Sequence, residues 1–195
     1  MKEHDVPDWY IKSCEKIKYM FPKAHAAAYV TNAFRIAWFK VHEPKAYYTA
    51  YFTIRADEFD SDIMCHGKEK VLNKMKEIDL AGNSATTKDK NMYAILELVL
   101  EMYERGINFL PMDLYKSHST KFIAEEDGIR PPLNSIPGLG TVAAESIVKA
   151  REEEPFMCID DIRMRAKAGS SVIELLRNAG CLKGMTESNQ MSLFA

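Results

Sequence analysis

The sequence predicts a mainly α-helical protein that carries one small β-hairpin, and three patterns support that prediction. Apolar residues recur at helical spacing throughout the first half. Two short apolar runs then flank the acidic turn Glu125-Glu126-Asp127, as in a β-hairpin. Beyond them a glycine turn feeds directly into a helix with an apolar face, and the last residues form a flexible tail.

Taken in order, Asp8 is placed to cap a first helix on which Tyr10, Cys14, Ile17 and Phe21 share a face, before Pro22 interrupts it. A second helix is expected from about Lys23 to Lys40, closed by the corner His42-Glu43-Pro44. Met64, Val71, Leu72, Met75 and Ile78 form a third stripe that stops near Gly82. Thr86 or Thr87 caps a fourth helix, with Met92, Ile95, Leu96, Val99, Met102 and Tyr103 on one side and Gly106 at its end. Such stripes are core-forming faces. Thr120-Lys121-Phe122-Ile123 and Gly128-Ile129-Arg130 supply the hairpin strands, and Pro131-Pro132 ends them. Ile159 to Arg165 and Ser171 to Ala179 read as two further short helices. No internal repeat is evident. The expected division is 1–106, 107–184 and a tail of 185–195.

Bulk properties narrow the function classes. At 195 residues the chain can bury a real core, and a formal net charge of −2 means that any nucleic-acid surface is a local patch. Cysteines 14, 65, 158 and 181 form no close pair, which suggests reduced thiols and argues against a zinc or iron–sulfur site. No secretory signal and no bilayer-length apolar run is present, so a cytoplasmic location away from membranes is expected.

The most informative segment is Ile136-Pro137-Gly138-Leu139-Gly140-Thr141-Val142, followed by the apolar positions Ala143, Ala144, Ile147 and Val148. Glycine on both sides of the turn permits positive φ and close approach of a ligand to the backbone. Leu139 can pin the turn to a core. The amides of Gly140, Thr141 and Val142 then become unpaired donors at the positive end of a helix dipole, which is a phosphate cradle. Lys149 and Arg151, two turns on, are placed to add charge at its rim. The pattern resembles a helix-hairpin-helix motif, which grips the DNA backbone without reading bases. The alternative is an ordinary glycine turn before a core helix. The apolar residues on both sides of the turn favour the DNA reading.

A second segment combines charge with rings. Between Lys12 and Lys45, seven Lys and Arg face only Glu15 and Glu43, and Tyr19, Phe21, Tyr29, Phe34, Trp38, Phe39, Tyr47 and Tyr48 are interleaved or follow directly. Cations beside flat rings suit phosphates and stacked bases. The run Lys18-Tyr19-Met20-Phe21-Pro22-Lys23-Ala24-His25-Ala26-Ala27-Ala28-Tyr29 resembles the fingers domain of C-family bacterial replicative polymerases. Arg35-Ile36-Ala37-Trp38-Phe39-Lys40 and Tyr47-Tyr48-Thr49-Ala50-Tyr51-Phe52 extend the likeness. With the glycine hairpin and the terminal Gln190-Met191-Ser192-Leu193-Phe194, the order is that of the PolC-type DNA polymerase III alpha subunits of Gram-positive bacteria.

That resemblance implies specific roles. Residues 1–106 would be the C-terminal part of the fingers, with Tyr19, Phe21, Lys23 and His25 at the nascent base pair and incoming deoxynucleotide. Residues 107–184 would hold duplex DNA through Gly138, Leu139, Gly140, Thr141 and Val142. Gln190, Met191, Ser192, Leu193 and Phe194 would dock on the bacterial sliding clamp, and Ala195 is one residue beyond the usual end of that motif. The catalytic carboxylates and their Mg2+ would belong to a preceding palm domain, so no catalytic, metal or cofactor site is expected in this chain. Its acidic clusters, Asp57-Glu58-Phe59-Asp60-Ser61-Asp62 and Glu125-Glu126-Asp127, read as solvated surface. The runner-up is a non-catalytic DNA-binding or repair module with a hairpin and a clamp peptide. A glycosylase of that class would want Lys where Val142 stands.

Overall fold

The computed structural model describes residues 1–17, 22–55 and 59–188. Tyr19, Phe21 and the stretch Gln190 to Phe194 lie outside the described residues. The fold is mainly helical with one antiparallel two-stranded hairpin, as the sequence predicts. It forms two compact units, the first ending at His42 and the second beginning at Glu43.

In the first unit a 3-10 turn at Lys2–His4 precedes α1 (Asp8–Glu15) and α2 (Lys23–His42). Asp8 is the first helical residue and not the cap. Pro7 takes that position, and its carbonyl accepts from the amides of Tyr10 and Ile11 at 2.9 and 3.2 Å. Among the described residues of this unit only Ile11 is buried. α2 buries no residue at all, and Tyr29, Phe34, Trp38 and Phe39 are each at least half exposed along it.

The second unit starts where Pro44, at the first position of α3 (Pro44–Ile54), begins a new helix after the corner at Glu43. The expected third stripe is divided between α4 (Ser61–Met64) and α5 (Lys68–Ala81), because Gly67 at φ 94° separates them. Thr86 caps α6 (Thr87–Glu104) in a reciprocal box. Its hydroxyl accepts from the Asp89 amide at 3.1 Å, and its own amide donates to Asp89 Oδ2 at 3.2 Å. β1 (Ile123–Glu125) and β2 (Gly128–Arg130) pair with Ala124 opposite Ile129, and α7 (Thr141–Glu153), α8 (Ile159–Arg165) and α9 (Ser170–Asn178) follow.

Two buried clusters organise this unit. In the first, the rings of Phe52, Phe59, Phe109 and Phe122 all contact one another, with centroids 4.8 to 6.1 Å apart. Such tilted and edge-on pairs each add about 0.5–1.5 kcal/mol beyond their area. Tyr48, Val71, Ile95, Leu96, Val99 and Met102 join the same cluster. The second contains Leu133, Ile136, Leu139, Ala144, Ile147, Ile162, Ile173 and Leu176. Residues on both sides of Gly106 belong to the second compact unit. Phe109, Phe122 and Ile129 pack with α3 and α6, so the β-hairpin shares its core with the helices before it.

The β-hairpin is fastened by polar contacts at both edges. Lys45 Nζ donates to the carbonyls of Glu125 and Glu126 at 3.1 and 2.6 Å. Arg130, with its side chain 8 % exposed, forms a two-point pair with the Glu125 carboxylate and donates to the Pro111 carbonyl. The Arg130 guanidinium holds the Glu125 carboxyl below the usual carboxylate range. A depressed native pKa adds stability above the ordinary Glu value of about 4.3, and that stability is lost as pH falls through the native value. The stability difference between wild type and Glu125→Gln, measured by urea unfolding at pH 6, should therefore shrink as pH falls below about 4.3. A gap that stays constant from pH 6 to 3 would contradict this role.

Candidate nucleic-acid interface

The turn before α7 is built from both glycines and the leucine between them, and each does something different. Leu133–Ser135 forms a 3-10 turn, and Ile136 follows it into the core. Gly138 has φ 88°, a left-handed conformation that costs an ordinary residue about 1–2 kcal/mol. Leu139 is 3 % exposed in the second cluster, and its amide donates to the Ile136 carbonyl at 3.0 Å. Burying that side chain turns the neighbouring backbone outward.

Gly140 departs from the sequence expectation. It has φ −69° and ψ 154°, the extended conformation of an N-cap, so only Gly138 needs positive φ. A Cβ added at Gly140 would meet no protein atom within 4 Å. What glycine supplies there is an uncovered backbone. The first bond of α7 runs from the Ala144 amide to the Gly140 carbonyl at 3.1 Å, and no side chain caps the helix. The amides of Thr141, Val142 and Ala143 precede that bond, so intrahelical acceptors are not available to them. Thr141 and Val142 are exposed, Val142 at 80 %. The result is an outward-facing group of donors at the positive end of a 13-residue helix.

The two rim cations are not both at the turn. Arg151 is directed inward and donates to the Leu114 carbonyl, and burial lowers its pKa. Lys149 is exposed but lies eight positions past Thr141, about 12 Å along the helix axis. In the first unit, Lys23 and His25 are exposed at the start of α2, and the His25 ring sits 4.5 Å from that of Tyr29. The ring-rich segment also divides. Tyr48 is fully buried in the first cluster, where burial raises its phenol pKa. Within the acidic segments, Asp60 Oδ1 accepts from the Asp62 and Ile63 amides, and Glu125 is paired with Arg130.

The backbone path of the turn recurs between α8 and α9. Lys167 has φ 52°, Ala168 is 6 % exposed, and Gly169 caps α9 at φ −67° and ψ 167°. The Ile173 amide makes the first bond of that helix, to the Gly169 carbonyl at 3.1 Å. Gly138-Leu139-Gly140-Thr141 and Lys167-Ala168-Gly169-Ser170 share only one glycine, so no repeat shows in the sequence. The signal is the order of a left-handed residue, a buried apolar one, a glycine and a hydroxyl.

Comparison with known proteins agrees with this geometry. Residues 106–192 match the family model of the helix-hairpin-helix motif. Over 194 residues, the whole of this chain, it is 57% identical to "DNA polymerase III PolC-type" of Clostridium perfringens, covering 13% of that protein. The corresponding proteins of Oceanobacillus iheyensis and Bacillus subtilis are 56% and 54% identical, with 14% of each covered. The homologues of this chain are PolC-type DNA polymerases. The chain spans about a seventh of the length of these relatives. Among the described residues no helix is long and apolar enough to cross a membrane.

The two glycines should respond differently to substitution. Gly138→Ala should lower the unfolding free energy by about 1–2 kcal/mol, from the left-handed backbone. Gly140→Ala should stay within about 0.5 kcal/mol of wild type. Urea unfolding of both variants measures this, and equal losses would contradict the turn geometry.

Proposed function

We propose that this chain is a segment of a replicative DNA-directed DNA polymerase, and that its hairpin holds the backbone of duplex primer-template. The observation that carries the reading is a buried Leu139 that presents unpaired amides outward, in a chain 57% identical along its whole length to a PolC-type polymerase. Backbone amides meet phosphate oxygens equally well whatever the bases, so the grip is independent of sequence.

Three further roles belong to the same proposal. Residues 1–106 act with the fingers, and Tyr19, Phe21, Lys23 and His25 face the incoming deoxynucleotide and nascent base pair. Exposure of Lys23 and His25 at a helix start is compatible with that role. The tail from 185 to 195 docks on the bacterial sliding clamp through Gln190 to Phe194, with Leu193 and Phe194 entering an apolar pocket. Tethering then makes a modest peptide contact effective, because the partner is already threaded on the same DNA. Phosphoryl transfer and its Mg2+ ions belong to another part of the polymerase, in the cytoplasm, and this chain alone extends no primer.

The test is binding of two unrelated fluorescent duplexes to the chain, followed by anisotropy over a salt series. Binding should be weak and equal for both duplexes, with a slope of about −0.9 per phosphate neutralised. Gly140→Val should weaken it, since a branched Cβ fills the space where a phosphate approaches. A strong preference between the duplexes, or unchanged affinity of folded Gly140→Val, would count against the hairpin as the grip.

A further inference from the structure

A groove of about 450 Å³ lies beside the hairpin turn, and its opposite wall comes from a distant part of the sequence. The turn contributes Gly138, Leu139, Gly140 and Thr141, while α6 contributes Lys88 and Met92. We propose that Lys88 is the cation of the duplex-binding site, contacting the DNA phosphate that the hairpin amides hold. This inference rests on the duplex-backbone reading of the hairpin.

Three observations support it. The turn offers amide dipoles, and neither expected rim cation adds its charge there, since Arg151 is engaged at Leu114 and Lys149 is about 12 Å down α7. Lys88 supplies that charge across the groove. It is exposed, and its ammonium makes no hydrogen bond or ion pair among the described residues. Its place on the helix is the end that attracts anions. Lys88 sits in the first turn of α6, where the helix dipole favours anions. The adjacent carboxylate of Asp89 is committed to the capping box with Thr86. A lysine lining the same groove as the start of α7 adds a full positive charge to the amide dipoles there, which suits an anion.

Asp60 lines the same groove, and its carboxylate is turned to the Asp62 and Ile63 amides at 3.0 and 3.2 Å. Met92 is buried one turn below Lys88, which fixes this face of α6 against the core. The lysine therefore has a defined origin, and its flexible stem can follow a phosphate. Lysine binds phosphate as a point charge and needs no bidentate geometry.

The experiment uses the whole chain, the same two duplexes and four variants. Lys88→Ala should weaken both duplexes several-fold and alike, with the salt slope reduced by about 1. Lys88→Glu should weaken them further, and Lys88→Arg should keep most of the affinity. The melting temperature of Lys88→Ala should be unchanged or higher, because a cation leaves a helix N-terminus. Gly140→Val separates the two readings. If Gly140→Val loses binding while Lys88→Ala keeps both affinity and slope, Lys88 is not the contact and the hairpin reading stands. If wild type binds neither duplex, both readings fall. A lowered melting temperature for Lys88→Ala, with unchanged slope, would make the residue structural and overturn the proposal.

Discussion

Burial of one leucine sets the geometry on which the candidate interface depends. Leu139 enters the second cluster between two exposed glycines, so the chain must reverse tightly around it. Gly138 takes the left-handed conformation that the reversal needs. Gly140 then delivers the chain into α7 with its backbone uncovered, and the first-turn amides follow. The apolar core thus orients helix-start donors that carry no side-chain cap among the described residues. A helix start left uncapped at the surface is stabilised by any anion that reaches it.

Much of this arrangement was legible in the sequence, and the failures have identifiable physical causes. The periodic stripes gave α5 and α6, the turn residues gave the β-hairpin, and the capping signal at Thr86 gave a helix start. α3 was missed because Pro44 both closes one helix and opens another. Gly106, a glycine at a helix end, marks a local stop. It does not say where the next aromatic residue packs, and Phe109 and Phe122 return to the earlier core. Positive φ at Gly140 was inferred from residue type alone, which permits that conformation without requiring it.

The candidate site shows the same limits. Local pattern located the turn, its pin and its donors. Pattern alone could not foresee that Arg151 is directed into the protein, because that depends on the Leu114 carbonyl 37 positions earlier. Nor could it bring Lys88 to the groove, since about fifty residues separate it from the turn. The recurrence at Lys167–Ser170 was hidden for another reason. Backbone conformation is shared there while side chains are not. The first unit is different in kind: α2 leaves Tyr29, Phe34, Trp38 and Phe39 at the surface, so its apolar residues do not serve a core within that unit.

The central claim is that backbone amides at the start of α7 hold DNA phosphate, and amide-resolved NMR of the isotope-labelled chain tests it directly. On titration with a short duplex, the amides of Gly140, Thr141 and Val142 should shift in a saturable way. A duplex of unrelated sequence should move the same signals along the same path. Downfield movement is the expected direction, since these amides gain acceptors. Shifts confined to other surfaces, with these three amides unmoved at saturation, would contradict the account.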